Sequence, residues 1–491
     1  MLEINTTPLV SMTTIAPLLL AGLTACAGSD QSGTLPDDGT GDSSTGGSNV
    51  GDEMGETTAI EPHAADSTTD EPDATDGPNT TDEGDMPVCG NGMVEPGEVC
   101  DDGINDNVYG GCAEDCTAMA GHCGDGIAQL DAGEACDDGD GLEGNGCNTD
   151  CVVSGSLRWS IDYATARQEA NLGLAVAIAP GQMPIVSAAS FPSFVADVRR
   201  FSPEGEHQWT FPLEGEAPRP WSVAASNANA IAIAGFGGDG GWVIGTSSAG
   251  APTWSDPVDS GPVYDVSALA DGGFVAVGST EEVAMVHRYS ADGQLLWSTE
   301  LEETPRVRAV AGGHAGGFVV LGAIGPDDAL WAQGFTGPQE SEPTWLSVLP
   351  DLLDPTEIDV ADDGTVVVSG AASGQMWVSS LSSAGNEQWT RTFAPGGEQA
   401  GASGHGVAAA QDGGVFVVGM QHETPERFDM LVRRYSAAGE LDWAQAIESP
   451  YVDDGFFQAN DAAVDFYGDL VVVGTVATGV VPHVWLGKFA P

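Results

Sequence analysis

Basic residues are scarce in this chain. Thirteen Lys and Arg stand against seventy-four Asp and Glu, for a formal net charge of −61, and no Lys or Arg precedes Arg158. Such a polyanion repels nucleic acid and anionic headgroups, which excludes nucleic acid as an expected partner. Long apolar runs are also missing. The longest candidate, "IAPLLLAGLT" at residues 15–24, is far short of the roughly 20 residues of a membrane-spanning helix. No cysteine follows Cys151, so the last two-thirds of the chain has neither a thiol nucleophile nor a thiolate metal site. Helical periodicity is absent throughout.

The short apolar core runs into "LTAC", residues 23–26. This stretch resembles the lipobox of bacterial lipoproteins, and the resemblance implies a signal peptide at 1–25, cleavage before Cys26 and acylation of Cys26. The flank before the core carries no Lys or Arg, a departure from that family. From 26 to 87 the sequence is Ser, Thr, Gly, Asp, Glu and Pro with almost no large apolar residues. It cannot bury enough apolar surface to order itself and reads as an acidic linker.

Eight cysteines fall at 88–152 in two matching sets, 89–116 and 123–151. The first holds Cys89, Cys100, Cys112 and Cys116, the second Cys123, Cys136, Cys147 and Cys151, and both share CGxG, GExCDDG and GC-x3-C. An even count in an exported segment too poor in apolar residues for a core predicts disulfides, with three internal pairings open in each set. The repeats resemble the cysteine-rich repeat of myxobacterial surface proteins, which implies an extracellular stapled module. Zinc is the weaker reading, since paired C-x2-C knuckles are lacking. Calcium is the one cofactor candidate, at Asp137, Asp138, Asp140 and Glu143 in the oxygen-rich loop "DDGDGLEGNG".

From 153 to 491 one phrase recurs, S-x-x-G-x-x-x-W, without gaps at 202–209, 247–254, 290–297, 382–389 and 436–443. Weaker copies end at Trp159 and Trp345. The seven tryptophans Trp159, Trp209, Trp254, Trp297, Trp345, Trp389 and Trp443 lie 43 to 54 residues apart by subtraction, a period that belongs to β-propeller blades. A valine-rich strand precedes each phrase, as in "GFVAVGS" and "TVVVSGA". The chain stops where the seventh copy should continue into its Gly-x-x-x-Trp strand, and "GSLRWSIDY" at 155–163 supplies one. The expectation is an all-β, seven-bladed β-propeller closed by its N-terminal strand, after a disulfide-rich module and a tether.

Repetition in every blade marks the phrase as a packing joint, because a catalytic group is needed once. Ser-x-x-Gly makes the turn, with Gly at positive φ, and Trp wedges between blades. The phrase resembles the tryptophan-docking signature of quinoprotein-type propellers, in its structural part only. No HExxH or G-x-S-x-G occurs. "VDSGP" at 258–262 sits in a blade connection, and the pairs Asp327–Asp328 and Asp453–Asp454 read as solvated loops. A ligand site, if propeller geometry is followed, draws on the sixth-blade insertion with His422, Glu423, Arg427 and Asp429. The reading is a lipid-anchored outer-membrane or cell-surface protein, non-catalytic, that binds an envelope protein or a glycan. The alternatives are an extracellular polysaccharide hydrolase or lyase, and a purely structural envelope component.

Overall fold

The computed structural model describes residues 88–491, apart from 167–168, 239, 260, 280–282, 302–305, 314–315, 325–328, 336, 338–341, 350–353, 398, 425–426, 449–455 and 478–480. Residues 1–87, with Cys26 and the linker, lie outside the described part. The only helix among the described residues is the single 3-10 turn Leu130–Ala132.

Residues 157–489 form seven four-stranded antiparallel sheets. Blades 1 to 6 span residues 170–213, 219–258, 263–301, 306–348, 354–393 and 401–447. Each is a plain meander, and sequence order runs from the innermost to the outermost strand. Blade 7 is composite: Phe457–Val464, Leu470–Ala477 and Pro482–Phe489 are completed by Leu157–Tyr163 as outermost strand. That clasp pairs antiparallel with the third strand, Trp159 opposite Lys488 and Tyr163 opposite Val484. Closure leaves no sheet in the ring dependent on a further chain to complete it.

The second strands, which begin near the predicted valine-rich runs, are buried over most of their length, apart from the outer half of Val415–Thr424 in blade 6. Phe274–Ser279 is buried at every residue. β-branched side chains stacked on both faces of such a strand need neighbours on both sides, and the flanking blades supply them. The core is accordingly divided among the seams between blades. Ile185 and Val198 of blade 1 meet Ile231 and Ile233 of blade 2, and Val186 and Phe201 of blade 1 meet Val473 and Leu486 of blade 7. Equivalent apolar clusters fill the other five seams.

At the centre, the innermost strands touch in a closed ring. Every one of them carries a one-residue register shift, at Leu174, Trp221, Tyr264, Arg308, Thr356, His405 and Asn460. A bulge increases local twist and re-aims side chains. At four of the seven it turns a polar group toward the next blade. Arg308 Nε donates to Pro355 O (3.2 Å), Thr356 Oγ1 to Gly404 O (3.0 Å) and Asn460 Nδ2 to Gly173 O (2.6 Å). His405 Nδ1 lies 2.7 Å from Ala459 O. Because that carbonyl can only accept, Nδ1 carries the proton and Nε2 accepts from Ser403 Oγ at 2.8 Å.

The cysteine-rich module is held by nested bridges, first to fourth and second to third in each repeat: Cys89–Cys116 and Cys100–Cys112, then Cys123–Cys151 and Cys136–Cys147. Its buried apolar core is little more than Cys100, Cys112 and Cys116. It abuts the end of the propeller that carries the Ser-x-x-Gly turns. Arg434 Nη1 donates to Gly144 O at 3.2 Å, and Arg158 pairs with Asp150 at 2.8 Å and Asp469 at 2.7 Å.

Candidate functional site

The seven predicted tryptophans all sit on outermost strands. Six of them cover the turn glycine of the following blade: Trp159 over Gly205, Trp209 over Gly250, Trp254 over Gly293, Trp345 over Gly385, Trp389 over Gly439 and Trp443 over Gly155. All six glycines have positive φ. Where the indole N–H is bonded, it reaches the same turn, Trp159 to Pro203 O (2.9 Å), Trp209 to Ser248 O (3.0 Å) and Trp389 to Ala437 O (3.0 Å). Trp297 packs against Phe318 of blade 4, and most of that blade's turn, 336 and 338–341, lies outside the described residues. The weaker sequence copies at Trp159 and Trp345 make the same joint as the perfect ones. These residues hold the ring together; they are committed to packing.

A second set of residues was not legible as a group. Asp265 Oδ2 accepts from Val310 N (2.6 Å), Asp359 Oδ2 from Ala409 N (2.9 Å) and Asp461 Oδ2 from Val176 N (2.8 Å), each across a blade boundary on the innermost strands. Ser222 Oγ plays the same part toward Val266 N at 3.2 Å. Burial pushes the Asp265 carboxyl up to about 6 and Asp461 up to about 7, against the opposing pull of their amide donors. Glu357 is pushed well above the carboxylate range by burial and by the charges of Asp265 and Asp461, and among the described residues its one hydrogen-bond donor is Ile358 N (3.2 Å). The wall of the central channel is therefore lined by carboxylates that also tie blades together. The short signal that marks these strands is a Val or Ile shortly before each Asp-Gly or similar turn, as in "YDVSA" and "TEIDVA".

In the cysteine-rich module, Asp137 accepts from Gly124 N, Asp125 N, Gly126 N and Gly139 N at 2.8–3.1 Å. Asp101 does the same in the first repeat, from Gly90, Asn91, Gly92 and Gly103. These amide contacts hold both carboxyls below their usual range, against burial. Asp138 accepts from Cys147 N at 3.1 Å, Asp140 from Leu142 N and Asn145 Nδ2, and Glu143 from Thr149 Oγ1. The CDDG signature is thus a loop staple. Among the described residues, the trios with ligand atoms within 4.8 Å are Glu98–Asp101–Cys116 and Cys123–Glu134–Cys151, whose cysteines are disulfide-bonded. The four predicted calcium residues do not form such a trio.

At the loop end of the propeller, opposite the Ser-x-x-Gly turns, the sixth-blade hairpin brings its predicted residues partly together. Arg427 pairs with Asp429 at 3.1 Å and Glu448 at 2.6 Å, while the His422 ring packs on Phe428, itself against Phe456. Glu423 is exposed. Ser260 of "VDSGP" and the pairs Asp327–Asp328 and Asp453–Asp454 lie outside the described residues.

The architecture defines a seven-bladed β-propeller. No family model matches the chain, and no curated protein resembles it in sequence. Solved structures do share the fold. The WD40 repeats of RRP9 superpose with a TM-score of 0.50 at 13% identity, covering 68% of this chain and 99% of that one. U3-55K gives 0.50 at 12% identity, covering 67% and 98%. At this identity the likeness speaks for the fold alone.

Proposed function

We propose that the chain is a lipid-anchored cell-surface or outer-membrane protein whose propeller is a non-catalytic binding or adhesion head. The observation that carries this reading is the division of labour between the two ends of the ring. The turn end receives the cysteine-rich module through Arg434–Gly144, Arg158–Asp150 and the Trp443–Gly155 joint. The loop end carries the blade-to-blade connections and the half-buried Phe191, Phe194, Phe236 and Phe428, and in this reading it is the face presented to a partner. Rigid scaffolds with variable loops are the usual platform for recognition. In this reading, acylation at Cys26 fixes the chain to the membrane and residues 26–87 hold the head clear of it. An envelope protein or a glycan is the ligand.

The test has two arms. Fatty-acid labelling of cells expressing the chain should tag it, and Cys26→Ser should abolish the tag and release the protein from membranes. A glycan array and an envelope-protein pull-down, each run with and without calcium, should give retention without turnover. Cleaved products from any array hit would move the protein to the hydrolase or lyase reading.

A further inference from the structure

Twelve of the thirteen basic residues fall within the described part, and in so acidic a chain their employment is informative. Arg158, Arg199, Arg288, Arg308, Arg427, Arg434 and Lys488 pair with carboxylates. Arg200, Arg391 and Arg433 donate hydrogen bonds, and Arg306 has a partner as well. Arg219 differs. Among the described residues it is the one Lys or Arg whose side chain has neither a hydrogen bond nor an ion pair.

Arg219 opens the innermost strand of blade 2, at the loop end. Its guanidinium lies 4.7 Å from the ring centroid of Phe194, 5.1 Å from Phe236 and 5.9 Å from Phe191. Phe191 and Phe194 come from the second hairpin of blade 1, and Phe236 from the corresponding hairpin of blade 2, stacked on Trp221 at 6.0 Å. Three elements from two blades thus converge on one cation. Phe194 is held at φ 55, a left-handed conformation that a bulky side chain adopts only at a cost of roughly 1–3 kcal/mol. The rings fix the guanidinium and shield it from bulk water while its N–H edges stay partly open, since the residue is half-buried. A fixed, weakly solvated Arg fork is suited to a carboxylate.

The same hairpin carries hydroxyl chemistry. Ser193 sits beside Phe194 and donates N–H and Oγ–H to Glu169, with Ser190 Oγ 3.2 Å away from Ser193 Oγ. A site that offers a guanidinium, aromatic edges and a hydroxyl-binding serine–glutamate pair matches a ligand with one carboxylate among many hydroxyls. We infer that the loop-end cluster at Arg219, where blades 1 and 2 meet, binds an acidic saccharide of the hexuronate class, with its carboxylate on Arg219. The inference deepens the binding reading above and rests on it.

The experiment is calorimetric titration of the purified full chain with trigalacturonic acid and with its methyl ester, at about 0.15 M salt, where distant carboxylates are screened beyond roughly 8 Å. The acid is expected to bind, the ester at least tenfold more weakly. Arg219→Gln should lose at least tenfold toward the acid and nothing toward the ester, with Arg219→Lys between. Equal affinity for acid and ester, or undiminished binding by Arg219→Gln in a variant with unchanged melting, overturns the site and leaves the binding head standing. A preference for a peptide bearing a free C-terminal phenylalanine over the sugar also overturns it. Silence toward the acid overturns the site, and silence across the array and pull-down as well overturns the binding reading with it.

Discussion

The indole of Trp209 lies directly over Gly250 of the next blade and donates its Nε1–H to Ser248 O in the same turn, at 3.0 Å. Both residues belong to copies of one phrase, yet their contact runs between copies. The glycine is required twice over: its φ is +77, and a Cβ there would stand 2.8 Å from Trp209 Cδ2. Gly374 has the same φ of +77 with nothing within 4 Å of its would-be Cβ. Gly374→Ala is therefore expected to cost about 1–2 kcal/mol, the left-handed penalty alone. Gly250→Ala should cost at least about 2 kcal/mol more, because the indole must leave its seat. Denaturant melts of the pair measure the difference, and equal costs would contradict the joint.

The clasp makes a second expectation. Leu157–Tyr163 covers the third strand of blade 7 and places Trp159 against Gly205 of blade 1. A chain that begins at Ala164 keeps every other blade intact but uncovers that strand and opens one seam. It should melt well below the intact chain and associate through the free edge, seen as concentration-dependent light scattering. A monomeric chain with unchanged melting would mean that blade 7 is complete without the clasp.

Much of this architecture was readable because it repeats. Tryptophan, turn glycine and valine-rich strand return in each blade, since every seam between blades has the same geometry to satisfy. The innermost strands escaped notice for a physical reason. Their ties need only a donor toward the next carbonyl and an acceptor toward the next amide, and chemically different residues meet each need. Arg308, Thr356, His405 and Asn460 serve as donors, and Ser222, Asp265, Asp359 and Asp461 as acceptors. Conserved geometry without conserved residue type leaves no repeat to see. The Arg219 cluster was hidden likewise, since its members come from three separate segments and touch only after blades 1 and 2 dock.

The nested cysteine pairing is open to direct mapping. Peptide mass spectrometry without reduction should recover Cys89 with Cys116, Cys100 with Cys112, Cys123 with Cys151 and Cys136 with Cys147. A module with so small a core depends on its bridges, each worth about 2–5 kcal/mol in small domains. Reduction should unfold residues 88–152 and leave the propeller melting transition nearly in place, resolved as loss of amide protection confined to the module. Any other pairing would reject the fold of both repeats.

The channel carboxylates give the stability of the propeller a pH dependence with a definite sign. Asp461 is pushed up to about 7 and Asp265 to about 6 by burial, and Glu357 is raised well above its ordinary value. Between the unfolded values near 4 and these folded ones, the folded chain binds more protons than the unfolded one. The stability they supply is thus full below about pH 4 and lost as pH rises through about 6 to 7. His405, half-buried and with desolvation holding its proton affinity down, has the opposite sign: the stability it supplies is lost as pH falls below the ordinary histidine range. A comparison of variants cancels that term. Glu357→Gln removes the carboxyl with fewest donors and relieves its repulsion with Asp265, Asp359 and Asp461. The variant should match the parent near pH 4 and exceed it by on the order of 1–3 kcal/mol at pH 8, since one unit of pKa is worth about 1.4 kcal/mol. Denaturant melts from pH 4 to 8 give the difference curve. A curve flat with pH would mean that Glu357 ionises freely in the folded channel.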